Sequence, residues 1–183
     1  YLGLVLIMLG AIFLVPLAWS LGSHDGAGVA FLVPATLAAG GGFMLWRLVP
    51  REDRDLTRRE GLALVTCTWI AASLIGALPY VISGVLPSYV DAFFEAMSGF
   101  TTTGATVIPL IGGQPPSVLL WRNYSQWIGG MGMVTIFVAL FPVLGIGAAR
   151  LVDAETPGPH NEKLRSRTTS AARSLWLLYL GFT

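Results

Sequence analysis

The residues best suited to chemistry in this chain form a run rich in threonine and glycine, TTTGAT at positions 101–106. The run has no acid, base or thiol for catalysis, and what it offers is oxygen from backbone carbonyls and threonine hydroxyls. Its glycine, Gly104, permits backbone angles that other residues adopt only with strain. Because rings of carbonyl oxygens replace the hydration shell of a permeating cation, the pattern indicates an ion pathway with a filter loop at 101–107.

The residues before this run, 91–100, predict a short apolar helix, DAFFEAMSGF. Such a helix is about 15 Å long, or about half of a bilayer core of about 30 Å. Backbone groups exposed where a helix stops halfway across a membrane are tolerated only inside protein or a water-filled cavity. Ser88 and Asp91 read S-x-x-D, which is typical of a helix N-cap. The sequence therefore predicts a re-entrant pore helix whose C-terminal dipole favours a cation near the midplane.

The composition of the 183 residues predicts an integral membrane protein. Of these residues 54% are hydrophobic and 11% are charged, against about 25% charged in a soluble domain. Apolar segments of membrane-crossing length lie at 1–22, 27–49, 61–83 and 119–147, and a shorter one begins at 171. We therefore expect an all-α integral membrane fold, in which a helical hairpin precedes one helix–re-entrant pore helix–helix repeat of the cation-channel type.

The basic residues predict the orientation of this fold. Nine of the eleven Lys and Arg residues follow the second and fourth spans, a tenth, Arg47, lies at the end of the second span, and the outer segments 23–26 and 84–118 contain none. By the positive-inside rule, the basic loops are cytoplasmic and the filter faces outside. The short helix must then enter the membrane and return. The predicted organisation is a two-helix hairpin at 1–49, a cytoplasmic loop at 50–60, a first pore repeat at 61–147, a cytoplasmic linker at 148–170 and the start of a next repeat at 171–183.

Two charged residues, Glu95 and Arg122, fall in segments where lipid would make a charge costly. In one interpretation Glu95 lies behind the filter and supports it, paired with Arg122. In the other, Glu95 is exposed in an outer vestibule and Arg122 extends to the membrane interface. The sequence leaves both open. Thr101 and Thr106 flank the predicted filter, and a Thr-rich helix end packed against neighbouring helices is the alternative interpretation of the whole run.

Four segments of the chain resemble the Trk-type potassium transporter membrane subunit, the TrkH/TrkG family. They are FFEAMSGFTTTGATV, WRNYSQWIGGMGMV, FPVLGIGAARLVDAETPGP and EKLRSRTTSAARSLWLLYL. The resemblance runs from about Arg58 to the end, and the leading hairpin fits the extra two-helix unit that the family carries before its first repeat. On this basis the chain is expected to be an N-terminal fragment with one of four repeats that surround a single pore.

The resemblance also implies a function and a set of site residues. It implies potassium uptake across a bacterial inner membrane by a homodimer, with a cytoplasmic nucleotide-binding regulatory subunit and no nucleic acid. Potassium is the transported ion, and no cofactor is implied. The filter carbonyls of this repeat are assigned by resemblance to Thr102, Thr103, Gly104 and Ala105. The family associates the glycine, here Gly104, with selection of potassium over sodium.

Two alternative functions compete with potassium uptake. A homotetrameric cation channel with one pore unit per chain predicts that the helix beginning at 171 ends the protein, whereas the family predicts another pore helix and Thr/Gly loop beyond it. An intramembrane hydrolase needs a nucleophile and base, or metal ligands, within the spans. Cys67 has no intramembrane histidine beside it, and no pair of intramembrane aspartates exists, so an enzyme is disfavoured. Channel-like transport and symport with protons or sodium both stay open.

Overall fold

The structure, a computed structural model, describes residues 2–49, 58–144 and 173–181, with the side chains of Arg58 and 133–144 left undescribed. The regular structure of these residues is entirely α-helical, as predicted. The predicted cytoplasmic loops at 50–60 and 148–170 lie outside the described residues, apart from the first residues of one helix. The helices are α1 (Leu2–Ile12), α2 (Leu14–Ser23), α3 (Gly28–Leu48), α4 (Arg58–Gly76), α5 (Leu78–Ile82), α6 (Tyr89–Phe100) and α7 (Pro116–Leu144), and residues 173–181 are also helical.

Three stretches of these helices are long and apolar enough to cross a membrane, counted over the described residues. They are Leu2–Ser23, Gly28–Leu48 and Arg59–Ile82. Helix α7 continues for 29 residues, which is about 43 Å of helix. The chain divides into two compact units, Tyr1–Trp127 and Ile128–Thr183. Within the second unit, a Cβ on Gly130 would collide with the Tyr179 hydroxyl, so these two helical segments pack closely.

The hairpin is held together by small residues where α1 and α3 cross. A Cβ on Gly3 would lie 2.7 Å from the Gly42 carbonyl oxygen, and one on Gly42 would lie 2.6 Å from the Gly3 oxygen. Further along the crossing, a Cβ on Gly10 would lie 3.0 Å from the Ala35 oxygen. Membrane helices associate through this kind of close backbone packing, because the hydrophobic effect does not drive helices together in an apolar lipid environment. The crossing therefore holds the two helices of the hairpin, α1 and α3, together as one unit.

The third predicted span, 61–83, is interrupted in the structure, where α4 ends at Gly76 and α5 begins at Leu78. Pro79 cannot donate a backbone hydrogen bond to the preceding turn. The Tyr80 amide bonds to the Ala77 carbonyl, so the Gly76 carbonyl needs another donor. The buried indole Nε1 of Trp121 supplies it at 3.0 Å. Membrane helices tolerate proline when a neighbouring helix forms hydrogen bonds with the backbone groups that the proline leaves unpaired.

Candidate ion-filter site

The first residue of the short helix α6 is determined by its N-cap, Ser88. Ser88 has extended backbone angles, and its hydroxyl accepts a hydrogen bond from the Asp91 amide at 3.4 Å. The cap starts the helix at Tyr89. This is two residues before the predicted start at 91, and it is where the S-x-x-D pattern of Ser88 and Asp91 places the first helical residue. The 12 residues of α6 extend about 18 Å, still well short of a membrane crossing.

The C-terminus of α6 ends in a Schellman motif that leads into the loop. The Thr102 amide donates to the Gly99 carbonyl at 3.0 Å, and the Thr103 amide donates to the Ser98 carbonyl at 2.9 Å. The motif places Thr102 in the left-handed region, with φ of 56°. Glycine normally occupies that position, and a β-branched residue there is a conformational outlier. Observed strain of this kind is typical of functional sites.

Threonine hydroxyls and a glycine shape the middle of the loop. The Thr101 hydroxyl donates to the Met97 carbonyl at 2.7 Å, and the Thr101 and Thr103 hydroxyl oxygens lie 2.8 Å apart. Gly104 has φ of 76°, so this position favours glycine for conformational reasons alone. The side of the loop away from the helix is open, since every residue from Thr102 to Val107 is exposed.

The returning part of the loop is bound to the buried carboxylate of Glu95, which is 2% exposed. One carboxylate oxygen, Oε2, accepts from the Val107 amide at 2.9 Å. The other, Oε1, accepts from the Thr106 hydroxyl at 3.1 Å. The Thr106 hydroxyl in turn accepts from the Ile108 amide at 3.2 Å. Glu95 therefore connects the middle of α6 to the end of the loop.

Arg122 completes this arrangement and decides between the two interpretations that the sequence left open. Its Nε donates to Glu95 Oε1 at 2.8 Å, as a salt bridge between side chains that are 16% and 1% exposed, respectively. Glu95 is therefore paired and lies behind the loop. The alternative, an exposed Glu95 with Arg122 extending to the interface, is wrong. A buried carboxylate needs such a partner, because removing it from water is otherwise costly.

One face of α7 lies along α6 and the loop. Arg122, Ser125 and Gln126 are three and four positions apart, which puts them on the same side of a helix. Ser125 lies so close to Gly99 that a Cβ there would collide with its hydroxyl. Gln126 Nε2 lies 3.9 Å from the position of a Cβ on Gly104. α7 therefore lies against α6 at Glu95 and Gly99, and close to the loop at Gly104.

Sequence reasoning missed Ser98, which contacts the loop from the buried side of α6. Its hydroxyl donates to the Ala105 carbonyl oxygen at 2.6 Å, and its side chain is almost fully buried. The Ala105 carbonyl, expected from the family resemblance to line the filter, is thus bound to α6. The spacing in the sequence could have indicated this role, because Ser98 is three positions after Glu95 and therefore lies on the same face of α6.

Asp25, in the outer turn of the hairpin, is the second residue that sequence reasoning missed. Its Oδ2 accepts from the Ser117 amide at 2.9 Å, in the first turn of α7. Its Oδ1 accepts from the Ala27 amide at 3.0 Å and from the Ser20 hydroxyl. Burial alone would raise the pKa of the Asp25 carboxyl, but hydrogen bonds from Ser117, Ser20 and Ala27 outweigh it and hold the pKa well below its usual range. The hairpin therefore supplies the anionic cap of α7.

Comparisons with known proteins show the family of the chain. A family profile described as "Cation transport protein", TrkH, matches residues 37–183. The chain belongs to the TrkH family. It is 39% identical over 183 residues to the Trk system potassium uptake protein TrkH of Escherichia coli K12, covering 99% of this chain and 38% of that protein. It is 39% identical over 142 residues to TrkG of the same organism, covering 76% of this chain and 29% of that protein.

A solved TrkH structure has the same fold. The crystal structure of the potassium transporter TrkH from Vibrio parahaemolyticus superposes with a TM-score of 0.80 at 36% identity, covering 97% of this chain and 35% of that chain. The chain spans about 38% of the length of the TrkH relative from Escherichia coli. Membership of the TrkH family, together with the apolar helices, establishes an all-α protein embedded in a membrane. It does not favour the homotetrameric channel, and the relatives named here are transporters rather than enzymes.

Proposed function

We propose that this chain supplies the first of four pore repeats of a potassium uptake transporter, and that residues 101–107 form its quarter of the selectivity filter. The names of the relatives, potassium uptake protein and potassium transporter, support the ion and the activity. The resemblance of the run FFEAMSGFTTTGATV to the family supports the position. The proposal makes Thr102, Thr103 and Gly104 the centre of the filter.

The observation that carries the proposal is the direction of two peptide groups in the loop. In a trans peptide, the carbonyl of one residue points opposite to the amide of the next. The amides of Thr102 and Thr103 bond back to the C-terminal turn of α6. The carbonyls of Thr101 and Thr102 therefore point away from the helix, toward the exposed side of the loop. Carbonyls held in this direction suit a partly dehydrated cation.

Two further features support a cation at this place. The C-terminus of α6 carries the negative end of the helix dipole, equivalent to about half an elementary charge before screening. The buried Glu95 holds the Val107 end of the loop, as the C-terminal turn of α6 holds the Thr102 end. A loop attached at both ends keeps its carbonyls in place when the ion leaves, which selectivity between ions of different radius requires.

We further propose the wider setting that the family resemblance implies. The whole protein acts as a homodimer in a bacterial inner membrane, with the loops 50–60 and 148–170 in the cytoplasm and the filter facing outside. A cytoplasmic nucleotide-binding subunit meets the basic inner face and regulates uptake. The placement of basic residues after the second and fourth spans supports this orientation.

The test is potassium uptake by the full-length gene in cells that lack their own potassium transporters. Wild type should restore growth at low potassium, and Gly104→Ser should lower discrimination against sodium, because a serine at positive φ strains the loop next to Gln126. Gly113→Ser is the matched control, since Gly113 also has positive φ, at 99°, but lies in open space outside the filter.

The outcomes separate the two parts of the proposal. If Gly104→Ser alone changes the ratio of potassium to sodium uptake, the filter assignment stands. If Gly104→Ser and Gly113→Ser both behave as wild type, potassium uptake survives and the filter lies elsewhere. A wild-type gene that fails to restore growth contradicts the proposed activity.

A further inference from the structure

Ser98 contacts the loop twice from the buried side of α6. Its backbone carbonyl accepts from the Thr103 amide at 2.9 Å, within the Schellman motif. Its hydroxyl donates to the Ala105 carbonyl at 2.6 Å. The side chain is only 5% exposed, so water does not readily replace the carbonyl as its acceptor. One helical residue therefore fixes two peptide groups of the loop.

These two peptide groups point in opposite directions. In the peptide that joins Thr102 to Thr103, the amide faces α6 and the carbonyl faces away. In the peptide that joins Ala105 to Thr106, the carbonyl faces α6, since it is bound to Ser98. The Thr106 N–H must then point away from the Ser98 hydroxyl. The Ala105 peptide is thus reversed relative to the earlier part of the loop.

We propose that Ser98 is a positioning residue that turns the Ala105 carbonyl out of the cation path. This inference rests on the proposed function, and it corrects the expectation that Ala105 supplies a filter carbonyl. The carbonyls of this repeat that face the cation end at Gly104. Above them the Thr106 N–H, a hydrogen-bond donor with a partial positive charge, faces the path and weakens cation binding at that level.

Removing the Ser98 hydroxyl should therefore tighten cation binding. Without its donor, the buried side of the Ala105 carbonyl is unsatisfied, and turning toward the cation becomes the favourable alternative. The net value of one such hydrogen bond corresponds to about a threefold to tenfold change in an equilibrium constant. We expect the half-saturating concentration for uptake to fall by this factor in Ser98→Ala.

The experiment measures radioactive Rb⁺ uptake by purified full-length protein in lipid vesicles, as a function of Rb⁺ concentration. Ser98→Ala removes the donor, and Ser98→Cys keeps nearly the same volume with a weak donor. Both should lower the half-saturating concentration, whereas Ser98→Thr keeps the hydroxyl and should remain near wild type. Ser73→Ala is the matched control, because Ser73 is also a buried serine in contact with α6, through the Met97 sulfur at 3.4 Å, and does not bond to the loop.

A structural readout accompanies the kinetics, because a merely destabilised filter would change uptake without reversing a peptide. A cryo-electron microscopy structure of Ser98→Ala, or of Ser98→Cys if the alanine variant is not monodisperse, should show the Ala105 carbonyl turned away from α6. A carbonyl that still faces α6, or unchanged half-saturating concentrations in both variants, overturns the inference.

Gly104→Ser in the same vesicles distinguishes this failure from a failure of the proposed function. If Gly104→Ser changes discrimination between Rb⁺ and Na⁺ while both Ser98 variants match wild type, the filter stands and the role of Ser98 is wrong. If wild-type vesicles take up no Rb⁺, or Gly104→Ser has no effect, the filter assignment fails and the inference fails with it.

Discussion

The pair formed by Glu95 and Arg122 gives the sharpest prediction on stability. Glu95→Gln keeps the size and one acceptor of the side chain but removes its charge, leaving Arg122 without its buried partner. The carboxylate accepts three hydrogen bonds, two at Oε1 and one at Oε2. An amide presents an NH₂ group to at least one of those donors. Breaking a buried pair from one side costs about 3–5 kcal/mol, and we expect a loss in this range.

The double variant should recover part of that loss. Arg122→Met alone leaves the buried Glu95 charge without its cation, and we expect a similar cost of about 3–5 kcal/mol. Glu95→Gln combined with Arg122→Met leaves neither charge unpaired, so it should be more stable than either single variant. The expected coupling is about 2–3 kcal/mol, near the upper end for residues in direct contact.

The assay is thermal unfolding of purified full-length protein in detergent, in which size-exclusion chromatography measures the fraction that stays monodisperse. Potassium uptake is measured for the same variants. Asp91→Asn is the control, because it removes an exposed acidic charge from the first turn of the same helix and should cost less than about 1 kcal/mol. Losses that add to within about 0.5 kcal/mol in the double variant would refute the pairing as an energetic unit.

Two further predictions concern the C-terminal end of α6, and a third concerns Asp25. Gly99→Ala should destabilise the protein by about 1–3 kcal/mol, because its Cβ collides with the Ser125 hydroxyl; Ser125→Ala should restore most of the melting temperature, and no restoration would show that the clash lies elsewhere. Thr102→Gly should raise the melting temperature by relieving about 1 kcal/mol of left-handed strain while impairing uptake, and a lower melting temperature would contradict the strain. The folded pKa of Asp25 lies below its unfolded value of about 3.9, so its stabilisation is complete at neutral pH and is lost as the pH falls below about 4. Unfolding measured from pH 7 downward should therefore show a smaller loss in Asp25→Asn than in wild type, and parallel curves would exclude this role.

The parts of the fold that sequence reasoning predicted depend on local signals. The N-cap at Ser88 and the apolar run after it are enough to indicate a short helix, because capping and helix length are decided within one or two turns. The basic clusters likewise predict the sides of the membrane without any knowledge of packing, and that orientation stays a prediction. The candidate filter is proposed on the same kind of local signal, since TTTGAT and its glycine are contiguous.

The parts that sequence reasoning left open or missed depend on contacts between distant residues. Glu95 and Arg122 are 27 positions apart, and Asp25 and Ser117 are 92 apart, so no periodicity connects them. Pro79 indicates that the third span is interrupted. The sequence does not indicate which group then donates a hydrogen bond to the Gly76 carbonyl, because that donor, the Trp121 indole, lies on another helix. The reversed Ala105 peptide depends on loop angles that residue types alone do not determine.

The central claim is that residues 101–104 hold a cation on their carbonyl side. It is tested most directly by a crystal structure of the full-length protein in Rb⁺ or Tl⁺, where anomalous scattering locates the ion independently of the protein. The account predicts anomalous density beside the carbonyls of Thr101 and Thr102, on the side of the loop away from α6. Ordered ions in the protein with none beside this loop would contradict it.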